Sequence, residues 1–105
     1  MKHVVILILF STMLTACTWV KLTPEGEKAR VLSPTEVHRC KKLGTTTVSV
    51  KATILGFERN KKTIGKELET LARNRAMDLK GDTVVPQTKI EKGQRTYIIY
   101  RCTNP

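Results

Sequence analysis

Apolar residues recur along this chain in three different rhythms. The first is an unbroken run from Val4 to Phe10, close behind Met1-Lys2-His3. It is too short to cross a bilayer, and its basic start and the small residues that follow give it the form of a secretory signal. The second is an alternation from Thr45 to Ile54. Thr46, Val48, Val50, Ala52 and Ile54 fall on one face, while Thr45, Thr47, Ser49, Lys51 and Thr53 fall on the other. A period of two predicts a strand in a sheet with one covered side. The third rhythm is helical. Between Lys61 and Lys80, the residues Ile64, Leu68, Leu71, Ala72, Ala76 and Leu79 share an arc of roughly 140° when successive positions turn by about 100°. Asn60 is placed to cap this helix and Gly81 to stop it. Gly65 lies on the arc, where a missing side chain would admit a close approach to the sheet. Arg75 lies there too, and its stem can snorkel to water.

Shorter signals complete the pattern. Ala29 to Leu32 reads as a short strand, and Ser33-Pro34-Thr35-Glu36 as a capping box with proline at the first helical position, opening one turn through Val37. Lys41-Lys42 leads into a turn at Gly44, and Gly56 to Asn60 turns the chain again. Thr83 to Gln87 is a strand that Pro86 either ends or confines to an edge. Lys89 to Gly93 is a polar loop. In the last strand, Arg95 to Cys102, Tyr97-Ile98-Ile99-Tyr100 is apolar on both faces, which suits a central position. The expected fold is α+β: a small mixed sheet of about four strands with one long helix packed on one face. The crossover from the Thr45 strand through the helix predicts a parallel pair, followed by an antiparallel hairpin.

The cysteines add an address. Leu14-Thr15-Ala16-Cys17 resembles the lipobox of bacterial lipoproteins, which implies cleavage after residue 16 and acyl chains on Cys17. Two or three chains hold durably, since each buried methylene adds roughly 0.8 kcal/mol. Under this resemblance residues 1–16 are a signal, 17–27 a lipid anchor and short tether, and 28–105 one periplasmic domain. Thr18 after the cysteine implies the periplasmic face of the outer membrane. Trp19 would rest at the headgroups or pack on the domain. With Cys17 lipidated, Cys40 and Cys102 are the remaining thiols. In an oxidising compartment they are expected to form one disulfide, closing a loop of about 60 residues that contributes roughly 4 kcal/mol. No His or Cys cluster accompanies them to suggest a metal site.

Chemistry is sparse. His38 is the one histidine left after the signal, and no activated nucleophile, His–carboxylate pair or Gly-rich phosphate loop is visible. The sequence therefore points away from an enzyme and implies no cofactor. Glu67, Glu69 and Asp78 lie among cations on the helix, an arrangement that suits ion pairs such as Glu69 with Arg73. Charge changes the picture more. Loss of residues 1–16 removes only Lys2, leaving 18 basic and 9 acidic residues, a net of +9. Lys62, Lys66, Arg73 and Lys80 share a stripe about 40° wide on the helix face opposite the apolar arc. Such a stripe is either a solvated face or an attraction for anionic lipid, lipopolysaccharide phosphates or an acidic envelope protein. Nucleic acid is excluded by the export signal.

The mature chain also resembles a family of small Gram-negative outer-membrane lipoproteins with no assigned activity. The resemblance is carried by Cys17-Thr18-Trp19-Val20-Lys21-Leu22-Thr23-Pro24-Glu25, Leu43-Gly44 before Val48-Ser49-Val50, Glu67-Leu68 through Leu71-Ala72-Arg73-Asn74, Gly81-Asp82-Thr83 and Tyr100-Arg101-Cys102. It is more distantly similar to the outer-membrane lipoprotein that senses envelope stress in the Rcs phosphorelay, which has a longer, proline-rich linker and two disulfides. The expected function is a non-enzymatic, lipid-anchored interaction module. The alternatives are a stress-signalling lipoprotein acting through a protein partner and, less favoured, a hydrolase of envelope polymers.

Overall fold

The computed structural model describes residues 20–105; the signal, Cys17 and Trp19 lie outside them. In chain order the elements are β1 (Arg30–Val31), β2 (Lys41–Ser49), β3 (Thr53–Ile54), β4 (Phe57–Glu58), α1 (Lys61–Asp78), β5 (Thr83–Pro86) and β6 (Gln94–Arg101). Short 3-10 turns cover Gly26–Lys28 and Pro34–Glu36. Four strands form a mixed sheet in the order β1-β5-β6-β2, and β3 with β4 forms a separate ribbon. The helix packs on one face of the sheet: Ile64, Leu68, Ala72 and Ala76 are buried with Ala29, Val48, Val84, Tyr97 and Ile99 in one cluster. Their spacing of four residues is what brings them to one stripe. Leu79, at the rim of the expected arc, is 44% exposed. Gly65 makes no close approach to the sheet; a Cβ there would meet Ile90 at an ordinary 3.6 Å.

The parallel pair is not the one expected. β6 separates β2 from β5 and runs antiparallel to both. The parallel partner of β5 is β1, with Arg30 opposite Thr83 and Val31 opposite Val84. The physical reason lies in β6, which has apolar residues on both faces and buries most by taking an interior position.

β2 also begins earlier than the alternation suggested. Lys41 to Gly44 is strand, not turn. The register steps from Lys42 opposite Tyr100 to Gly44 opposite Ile99, so Leu43 is the extra residue of a β-bulge. The bulge leaves Leu43 packed against the core cluster. At the other end the strand stops at Ser49, and Ile54, expected on the covered face, is 53% exposed in the separate ribbon. Before the bulge, Lys41 lies opposite Arg101, which brings Cys40 across from Cys102. Their Cα atoms are 4.3 Å apart and their sulfurs are bonded at 2.10 Å.

Both helix ends are closed by side chain or backbone. Asn60 Oδ1 accepts from the N–H groups of Lys62 (2.8 Å) and Thr63 (3.4 Å). At the other end Gly81 N–H donates to Ala76 O (2.7 Å) and Lys80 N–H to Met77 O (3.0 Å). This is a Schellman motif, and its left-handed residue is Lys80, with φ 62°. Gly81, expected to be the stop, serves a different purpose: a Cβ there would stand 2.6 Å from Ile99 Cγ2 and 3.0 Å from Tyr100 O.

Candidate functional site

The β3–β4 ribbon is the most unusual surface of the domain. Ile54 lies opposite Phe57, so only Leu55 and Gly56 make the turn. Both have positive φ, 53° and 81°, as a two-residue type I′ connection requires. Glycine adopts that backbone freely. Leucine does not, and asparagine or aspartate is the usual choice at the first position. The turn is apolar and wet: Leu55 is 91% exposed, Phe57 78% and Ile54 53%.

The base of the ribbon is fastened to the helix. Arg59 N–H donates to Ala52 O (2.9 Å). Its guanidinium donates to Lys51 O (2.9 Å) and pairs with both carboxylate oxygens of Glu67. This is the one ion pair among the described residues. A bidentate arginine fork holds geometry as well as charge, so the apolar turn projects from a fixed base. Between ribbon and helix lies a cleft of about 600 Å³. Ala52, Ile64 and Ile90 supply apolar lining, and Arg59, Lys61 and Lys92 supply positive charge, with Glu58 as the acid.

The four stripe residues fare differently. Lys62 and Lys66 are exposed on the N-terminal half of α1. Arg73 is not a free cation. Its Nε donates to Ala29 O (2.8 Å) and its terminal nitrogen to Glu27 O (3.1 Å). Two carbonyls of a docked segment outcompete the expected Glu69, which forms no ion pair with it. Lys80 lies past the helix end in its left-handed conformation. The stripe is thus divided: Arg73 is taken up by backbone carbonyls, while Lys62, Lys66 and Lys80 stay exposed.

The segment read as a tether is docked over its described part. Asn74 accepts from Thr23 N–H (2.9 Å) and donates to Lys21 O (2.9 Å). Gly26 is buried there, and a Cβ on it would collide with Asn74 Oδ1. The sequence reading missed this because the segment is held through its backbone groups, which the side chains of Arg73 and Asn74 satisfy. It missed the ribbon for the opposite reason: Ile54 completed an alternating pattern whose sheet pairing ends at Ser49 and whose packing on the core ends at Ala52. The signal was present in Ile54-Leu55-Gly56-Phe57, a turn with a glycine where one is needed and no polar residue around it.

Two other sequence features have local roles. Glu36 Oε1 accepts from Ser33 N–H (2.9 Å), the reach-back bond of a capping box, and also from Ser33 Oγ (2.8 Å). His38 is exposed, with Nδ1 3.2 Å from Thr35 O. Among the described residues, no three His, Cys, Asp or Glu side chains gather into a metal-holding group. No helix there is long and apolar enough to cross a membrane.

A family model described as a domain of unknown function, DUF4156, matches residues 20–102. No curated protein and no solved structure matches the chain.

Proposed function

We propose, for a chain that belongs to the DUF4156 family, a non-enzymatic role as a lipid-anchored interaction module at the periplasmic face of the outer membrane. Acyl chains on Cys17 hold it there, and the surface it engages is anionic. The observation that carries this reading is the excess of unneutralised positive charge. A mature chain of 18 basic and 9 acidic residues makes a single ion pair among its described residues. Lys41, Lys42, Lys51, Lys61, Lys62, Lys66, Lys89 and Lys92 are all exposed. Such a field draws the protein to anionic headgroups or phosphates and weakens as salt is added. The docked segment adds support. Lys21, held by Asn74, is four residues after Cys17, a short reach that keeps these cations close to the bilayer.

The first test is an intact-mass spectrum of the native protein, before and after reduction with thiol alkylation. The expected species starts at an acylated Cys17 and takes up two alkyl groups only after reduction. A chain retaining its first 16 residues, or carrying no lipid, refutes the anchor. For the charged surface, Lys62→Gln with Lys66→Gln should weaken retention of the unacylated protein, made by Cys17→Ser, on anionic vesicles at low salt. Unchanged retention refutes the charged-surface reading.

A further inference from the structure

We propose that the β3–β4 ribbon is a membrane wedge, whose turn residues Ile54, Leu55 and Phe57 insert into the interfacial layer of an anionic bilayer. This rests on the proposed function and names its partner as lipid. Three observations converge on the turn. The first is exposure: three large apolar side chains stand in water side by side, Leu55 almost completely. The second is strain. Leu55 holds a left-handed conformation, φ 53°, that costs a leucine but not an asparagine. A strained, solvent-exposed leucine at a turn gains nothing for the fold that a polar residue would not supply. The third is charge. Lys61 and Lys92 line the adjoining cleft as unpaired cations against one acid, Glu58, while Arg59 is taken up by Glu67, so apolar residues at the tip are backed by lysines at the level where headgroups would lie.

The occupant follows from size and chemistry. A stable protein partner needs roughly 800 Å² from each side, and three side chains at the end of a two-residue turn offer only part of that area. They suit insertion by about 5–10 Å, the depth at which interfacial apolar groups settle. The Arg59–Glu67 fork supplies the rigid base that a wedge requires.

The test uses the full-length protein carrying Phe57→Trp in a Trp19→Phe background, with phosphatidylethanolamine–phosphatidylglycerol vesicles whose acyl chains are brominated. The indole at position 57 should be quenched and blue-shifted in these vesicles, and much less so in phosphatidylcholine. Leu55→Asn should lower the insertion equilibrium constant read from quenching on the order of tenfold, because one inserted leucine is lost, while the domain stays folded because asparagine suits the turn. An indole that stays wet in anionic vesicles overturns the wedge and leaves the tip to a protein partner. Equal quenching with and without Leu55→Asn also overturns it. Flotation and mass read the anchor separately: floating protein with a wet indole has an anchor and no wedge. Quenching on protein that lacks acyl chains upholds the wedge alone.

Discussion

The end of α1 yields the sharpest prediction, because two adjacent residues exchange the roles that their types suggest. Lys80 sits at φ 62°, and Gly81 lies beside Ile99 and Tyr100. A left-handed conformation costs a residue with a Cβ about 1–2 kcal/mol. Lys80→Gly removes that cost but raises the entropy of the unfolded chain, which takes back about 0.4–1 kcal/mol. The net expectation is a gain of about 0.5–1 kcal/mol. In a domain of this size that raises Tm by roughly 2–8 °C. Gly81→Ala runs the other way. The new Cβ would meet Ile99 Cγ2 at 2.6 Å and Tyr100 O at 3.0 Å. Ile99 can shift a little, but the Tyr100 carbonyl is fixed by the sheet and also accepts from Asp82 N–H (3.0 Å). Overpacking of this kind costs about 1–3 kcal/mol, against the same entropic return. Urea melts of both variants, with the disulfide intact, should place them on opposite sides of wild type. A destabilised Lys80→Gly beside a neutral Gly81→Ala would refute the helix end as described.

Three further perturbations probe the joints of the fold. Asp82 accepts from the N–H groups of Cys102 (2.8 Å) and Thr103 (2.9 Å) and from Thr83 Oγ1 (3.0 Å). Partial burial pushes its carboxyl pKa up, yet these donors together hold it below the ordinary value. Its contribution is therefore present at neutral pH and lost as pH falls through the folded pKa. Asp82→Asn should cost about 1–2 kcal/mol at pH 7, and a melt series should show the gap to wild type closing below about pH 4. Reduction of Cys40–Cys102, or Cys40→Ala with Cys102→Ala, should cost roughly 4 kcal/mol by the chain-entropy relation for this loop, measured as a fall in the urea midpoint. Glu67→Gln leaves Arg59 without its carboxylate, so amide exchange should accelerate across the ribbon while β5 and β6 remain protected.

Where neighbours in sequence decide structure, the residues spoke clearly. The period of Ile64, Leu68, Ala72 and Ala76 needs only helical geometry, and those residues are the buried stripe. Tyr97 to Tyr100, apolar on both sides, identified the central strand. What stayed hidden depends on partners far along the chain. A bulge at Leu43 exists only relative to β6, and its Leu-Gly pair looks like a turn until the facing strand is known. Arg73 and Asn74 have the composition of an ordinary solvated helix face; their partners, the carbonyls of Lys21, Glu27 and Ala29, lie 44 or more residues away. Backbone carbonyls leave no trace in side-chain pattern, so a docked polar segment and a free tether read alike.

Under the proposed anchor and wedge, the docked segment and the ribbon together constrain how this domain would meet a membrane. Lys21 is held by Asn74, whereas the ribbon is tied to the start of α1 through Arg59 and Glu67. Asn60 and Asn74 are about 21 Å apart along the helix at 1.5 Å per residue. From Cys17 to Lys21 the chain can extend at most about 14 Å. With acyl chains on Cys17 and the turn at Leu55 both in the bilayer, neither end of the helix can rise far from the surface. The helix must lie nearer to the membrane plane than to its normal. Spin labels on Lys62→Cys and Asp78→Cys, exposed near the two ends of α1, should then report similar distances from the headgroups. A label at position 78 close to the bilayer, with one at position 62 some 20 Å farther out, would mean that the domain stands on its anchor with the ribbon in the periplasm. That geometry would refute simultaneous contact.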